Sequence, residues 1–181
     1  MDKPYSLDDY VNEFVEFMQK HGIEKPCVIA HSFGARVAIK ALVKYPDLID
    51  RLVLTGAAGL KPKRTLKKAI KKGVFRFLKL FVPREKLKRF YSKDYLSLSP
   101  IMKESFKLIV SEHLDYALDS IKTPTLIVFG EKDKETPLYM AKRFNKRIKD
   151  SRLLIIKDAG HFCFIDYPHK FNMEVREFLL S

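Results

Sequence analysis

The chain has 181 residues, 46% of them hydrophobic and 12% aromatic, with a formal net charge of +13. That length is enough for one domain with its own core, and no apolar run reaches the roughly 18 residues of a membrane span. The charge is local: residues 61–93 hold fourteen Lys or Arg and one acid, Glu85, so the rest of the chain is balanced and the basicity belongs to one segment. The opening, MDKPYSLDDY, has no apolar stretch of the signal-peptide kind. Cys27 and Cys163 both lie in apolar, strand-like text and are expected to be buried free thiols. Together these features predict a cytoplasmic setting.

Residues 6–21 predict a helix, with Ser6 and Asp9 spaced as a capping box and Tyr10, Phe14, Phe17 and Met18 as its apolar stripe. PCVIAH follows as a short apolar run, the pattern of a strand buried on both faces. FGARVAIKALVKYP carries Val37, Ala38, Ala41 and Leu42 at helical spacing, and Pro46 closes it. IDRLVLTGAAG reads as a second buried strand, TPTLIVFGEKD as a third and SRLLIIKDAGH as a fourth, with helices PLYMAKRFNKRI between the last two and PHKFNMEVREFLLS at the end. Alternation of strands and helices predicts an α/β fold, a mostly parallel sheet of about four strands flanked by helices. Residues 61–118 interrupt it as a basic helical cap insertion, leaving 1–60 and 119–181 as the core.

The stretch CVIAHSFGAR sets a serine, Ser32, on a turn between a buried strand and a helix. Such a turn lifts the hydroxyl above the sheet edge and points the next backbone N–H, that of Phe33, at a developing oxyanion. The turn is expected to crowd its neighbours, which are the small residues Ala30 and Gly34. A serine hydroxyl needs a base. Asp133 and His161 each follow a predicted strand, where open α/β sheets place their sites, and the chain order Ser, Asp, His matches the nucleophile-elbow enzymes. His161 is then the general base and acid, with Asp133 holding its tautomer. Glu131 is a local rival for Asp133, and Asp158 a weaker one. His31 is expected to pack or to line the site, while His21, His113 and His169 are expected at the surface or in the cap. No cluster has metal-ligand spacing and no glycine loop suits a phosphate, so no cofactor is implied.

From LDDYVNEFVEF to LTGAAG, in PTLIVFGEKDKETP and in DAGHFCFIDYPHKFNMEVREFL, the chain resembles the α/β-hydrolase superfamily, in the form that carries a helical cap between its sixth and seventh strands. The resemblance implies Ser32 as nucleophile, Asp133 as acid and His161 as base. It implies a carboxylic ester hydrolase acting on small or short-chain acyl groups, with carbon–carbon bond hydrolases and thioesterases sharing the same triad. The serine excludes the branch with an aspartate nucleophile. The usual pattern is G-x-S-x-G, whereas this chain has A-H-S-F-G.

Members of that superfamily usually have several strands before the nucleophile strand, and here only about thirty residues precede it. The expectation is a fold lacking its front strands and the loop that gives a second oxyanion donor. Losing one such donor typically costs ~100- to 1,000-fold in rate. The nucleophile strand, Cys27 to His31, then becomes an apolar edge, which predicts a homo-oligomer, most simply a dimer, with a tetramer as the alternative. The competing readings are a catalytically weak remnant kept as a binding protein, and a fragment of a longer chain.

In the cap, LKKAIKKGVFRFLKLFV places Val74, Phe77, Leu78 and Phe81 on one face with lysines around it. Phe75, Phe77 and Phe81 are the candidates for lining the acyl pocket. The alternative reading is a helix that touches a membrane surface or an anion. Nucleic-acid binding is not expected, because the aromatics lie in the apolar stripe and form no stacking platform.

Overall fold

The computed structural model describes residues 2–63 and 93–181. Its centre is a four-stranded, all-parallel sheet in chain order: β1 (Cys27–His31), β2 (Arg51–Thr55), β3 (Thr125–Gly130) and β4 (Ser151–Ile156). The helix α1 (Leu7–Lys20) precedes β1, and α2 (Phe33–Lys44) crosses from β1 to β2. The long β2–β3 connection contributes α3 (Lys93–Ser97), α4 (Pro100–Ser111) and a 3₁₀ turn (Asp115–Ser120). The helix α5 (Leu138–Arg147) joins β3 to β4, and α6 (Cys163–Asp166) and α7 (Pro168–Leu180) close the chain.

Alternation along the strands divides the core in two. Leu52, Leu54, Ile127 and Phe129 pack with Leu7 of α1, Ile39 of α2, Leu118 of the 3₁₀ turn and Phe144 of α5. Val53, Leu126, Val128 and Ile156 face the other way, onto Cys163, Phe171, Val175 and Phe178 of α6 and α7. Each such fully buried side chain contributes about 1.5–3 kcal/mol over exposure. Because β2 and β3 are covered on both faces, their near-continuous apolar text is required.

The capping box of α1 is present: the Asp9 N–H donates to Ser6 Oγ at 3.3 Å and the Ser6 N–H donates to Asp9 Oδ2 at 2.8 Å. The expected stripe is shifted. The inward face carries Leu7, Val11 and Met18, with Phe14 packed at its side, and Phe17 is exposed against the His21 ring. Positions 7, 11, 14 and 18 follow the helical period more closely than the aromatics do.

Two strands are less buried than their text suggests, because they are the outer strands of the sheet. In β1, Val28 and Ala30 pack toward α2, but Cys27 and Ile29 on the other face are exposed, Ile29 by 51%. The expectation of two buried thiols therefore holds for Cys163 only. In β4, Arg152 is exposed and pairs with Glu174 and Glu177 of α7. The basic stretch with Phe75, Phe77 and Phe81 lies outside the described residues. Among the described residues no helix is long and apolar enough to cross a membrane.

At the carboxyl end of β3 the backbone comes close to the loop after β4. A Cβ on Gly130 would lie 2.1 Å from the Gly160 carbonyl oxygen and 2.5 Å from that of Ala159. Both obstacles are backbone and cannot swing aside. Gly130→Ala is expected to destabilise the fold by about 3 kcal/mol, read as a lower urea midpoint at unchanged slope; an unchanged midpoint would refute the close approach.

Candidate functional site

Ser32 sits between β1 and α2 with φ 47° and ψ −106°, a left-handed conformation rare for a residue with a side chain. Two backbone bonds hold it. The Ser32 N–H donates to the Thr55 carbonyl at 3.1 Å, extending the β1–β2 ladder, and the Ala58 N–H donates to the Ser32 carbonyl at 3.1 Å. The side chain makes no capping bond to α2. The Phe33 N–H stands in the first turn of that helix, where backbone donors lack intrahelical partners. Ala30 is buried below the turn, as expected. Gly34 differs: a Cβ there would meet no described atom within 4 Å, so crowding is not what the glycine relieves.

Asp133 and His161 are brought together by the loops after β3 and β4. His161 Nδ1 lies 2.9 Å from Asp133 Oδ2, and the Asp133 side chain is fully shielded from solvent. That carboxylate also accepts the N–H groups of Glu135 (2.9 Å) and Thr136 (2.8 Å) on Oδ1, and the Thr136 hydroxyl (2.7 Å) on Oδ2. With an acceptor on Nδ1, the proton of a neutral His161 belongs on that nitrogen, leaving Nε2 as the basic lone pair. Glu131 and Asp158 are spent elsewhere. Glu131 accepts the Asp158 N–H at 3.1 Å, and Asp158 pairs with Lys132 at 2.7 Å, lacing the two loops together.

His31 packs its ring on His161, with centroids 4.7 Å apart, and is flanked by Phe162 and Phe164. Its Nδ1 lies 3.1 Å from the Thr55 carbonyl, which can only accept, so Nδ1 carries the proton. Burial, and then the neighbouring His161, push the His31 pKa below its ordinary value. Behind Thr55, its hydroxyl lies 3.4 Å from Cys163 Sγ, and burial pushes that thiol up. Gly56, at φ 50°, gives the His161 ring its room: a Cβ would stand 3.0 Å from Nδ1.

Ser32 and Phe33 open onto a cavity of about 360 Å³, walled by Tyr10 of α1 and by Met102, Phe106 and Ile109 of α4. His31 lies outside this cavity, on the His161 side. Phe75, Phe77 and Phe81 fall outside the described residues. Thr136, Gly56 and the α4 wall were not singled out from the sequence. A threonine three residues after Asp133 in a polar turn is a detectable signal for a carboxylate-holding loop, whereas the α4 wall leaves none. Among the described residues no group of three or more His, Cys, Asp or Glu could hold a metal ion.

The sequence profile of the alpha/beta hydrolase family matches residues 2–174. The chain is 24% identical over 185 residues to the 2-hydroxy-6-oxononadienedioate/2-hydroxy-6-oxononatrienedioate hydrolase of a Pseudomonas species, covering 90% of this chain and 65% of that protein. It is 38% identical over 64 residues to the pimeloyl-(acyl-carrier protein) methyl ester esterase of Neisseria meningitidis, covering 35% of this chain and 25% of that one. An esterase structure from Exiguobacterium antarcticum superposes with a TM-score of 0.74 at 23% identity, over 99% of this chain and 75% of that chain. The chain thus spans less than two thirds of the length of either named relative, while the profile covers nearly all of the chain itself: it belongs to the alpha/beta hydrolase family.

Proposed function

We propose that the protein is a serine hydrolase of carboxylic esters. The observation that carries the reading is the 2.9 Å Asp133–His161 bond, built from two strand-end loops at the end of the parallel sheet where a serine stands in a left-handed turn before a helix. The ester class draws on the similarity to the Neisseria methyl ester esterase. In this mechanism His161 Nε2 takes the Ser32 proton as Oγ attacks the ester carbonyl. The Phe33 N–H donates to the oxyanion. Asp133 stabilises the imidazolium without itself taking the proton. Collapse expels the alcohol, which receives the proton from His161. Water, activated by the same imidazole, then releases the acid from the acyl-enzyme and restores the Ser32 hydroxyl.

His31 serves this arrangement as a neutral wall behind His161. A second positive ring there would oppose the imidazolium that forms during turnover, and burial disfavours one.

Hydrolysis of a p-nitrophenyl ester by the purified protein is expected to fall to background in Ser32→Ala; equal rates in the two proteins would end the esterase reading. The depressed His31 pKa gives a pH dependence of stability. Below about pH 6.5 the unfolded chain binds a proton that the folded chain resists, so stability declines as pH falls from there toward the folded value, by at most about 1.4 kcal/mol per pH unit. Urea unfolding from pH 8 to pH 5 is expected to show a flatter decline in His31→Phe than in the wild type; parallel curves would mean that His31 charges freely in the fold. We further propose that a second copy covers the outer edge of β1. Mass determination in solution is expected to give a dimer, and a monomer at micromolar concentration would rule it out.

A further inference from the structure

The cavity at Ser32 has a distinctive wall. Along α4, Met102, Phe106 and Ile109 recur at the helical spacing that puts them on one face, and Val110 also lines the cavity. Met102 and Phe106 are each about half exposed, so the core does not consume them. Across the gap stand Tyr10, whose ring meets Phe33 edge-on at 5.0 Å, and the α2 N-terminus.

The wall is fastened to the element that carries the serine. Arg36, one turn after Ser32 and nearly buried, donates from Nη1 to the carbonyls of Ile109 (3.0 Å) and Glu112 (2.7 Å), at the end of α4 where carbonyls lack helical partners. Lys40, one turn further, binds Glu112 at 2.6 Å and Asp8 at 2.7 Å. The Tyr5 N–H reaches Ser105 Oγ, halfway along α4, at 2.8 Å. The gap between α4 and Ser32 is therefore set by direct bonds.

We infer, on the basis of the esterase reading above, that this cleft is the acyl site and that it selects linear, uncharged acyl chains of medium length, longer than the short groups expected from sequence. The chain would enter beside Ser32 and run along Phe106 and Met102. A volume of about 360 Å³ holds about twelve groups of about 30 Å³ each, and with part of it taken by the ester group this leaves room for a chain of roughly eight to ten carbons. Among the described residues the lining is mostly apolar, and its one cation, Arg36, already serves two carbonyls.

The test is a series of p-nitrophenyl esters from acetate to dodecanoate. In the wild type kcat/KM is expected to rise up to about fourfold per methylene and to level off near eight to ten carbons. Phe106→Ala should lower kcat/KM for the octanoate about tenfold through KM and lower that for the acetate much less, and Val110→Trp should bring the plateau to shorter chains. A flat wild-type series, or a profile that neither substitution moves, would overturn the acyl site while Ser32-dependent turnover left the esterase reading intact. Preference for an ester with a terminal carboxylate over the alkyl ester of equal length would overturn the uncharged class. Titration calorimetry of Ser32→Ala with 1-octanol reads the cleft without turnover, so a failed esterase reading does not spare it. Binding weakened about tenfold by the added Phe106→Ala change supports the site, and no binding in either protein refutes it.

Discussion

The backbone at Ser32 must turn from a parallel strand into a helix within one residue, and it does so through a φ of 47°. A non-glycine residue held there costs on the order of 1–3 kcal/mol, so the surroundings must over-determine it. They do so through main chain. Thr55 accepts the Ser32 N–H, Ala58 donates to the Ser32 carbonyl, and the β1–β2 register from Cys27↔Arg51 to His31↔Thr55 fixes both partners. The same Thr55 carbonyl accepts a hydrogen bond from the His31 ring N–H. One carbonyl at the end of β2 thus sets both the serine turn and the tautomer of the residue before it, and the direction of α2 follows.

On the far side of the sheet end the constraint is a short distance between loops. Gly130 permits the loop after β4 to pass within a distance that any side chain would block, and the Lys132 N–H donates across the gap to the Ala159 carbonyl at 2.8 Å. Asp133 and His161 are carried to hydrogen-bonding range by that crossing. The carboxylate then receives two backbone donors and a hydroxyl besides the imidazole, which offsets much of the cost of burying an ionised group. The pair is held by its own loops and needs no contact with the Ser32 turn to be in position.

This division explains what could be read in the sequence. Asp133 and His161 were legible because they follow apolar runs of strand length, and a residue just after a parallel strand lies at the sheet's carboxyl edge whatever the loop does. The capping box at Ser6 was legible because it is local. Cys27 was misplaced because an apolar run gives burial but not rank in the sheet, and β1 is an outer strand. Phe17 was misplaced because aromatic character outweighed helical phase. At Gly34 no described atom lies close enough to supply the steric reason that the motif suggests. Arg36 and the α4 wall were not legible at all. Their meeting joins positions more than seventy residues apart, across a connection whose periodicity says helix but not where the helix lies.

The two cations of α2 show why that long-range meeting is specific. Lys40 sits between two carboxylates, Asp8 and Glu112, as a compact ammonium that hydrogen-bonds each of them. Among the described residues Arg36 makes no hydrogen bond to a carboxylate. One guanidinium nitrogen bridges two main-chain carbonyls at the end of α4, a task for a rigid, weakly hydrated planar donor that a flexible ammonium performs poorly when buried. Arg36 therefore fixes the helix end by its backbone, independently of α4 side chains such as Met102 and Phe106. Because Arg36 lies one turn from Ser32, the helix that begins at the strained serine also carries the bond that sets the distance to the apolar wall.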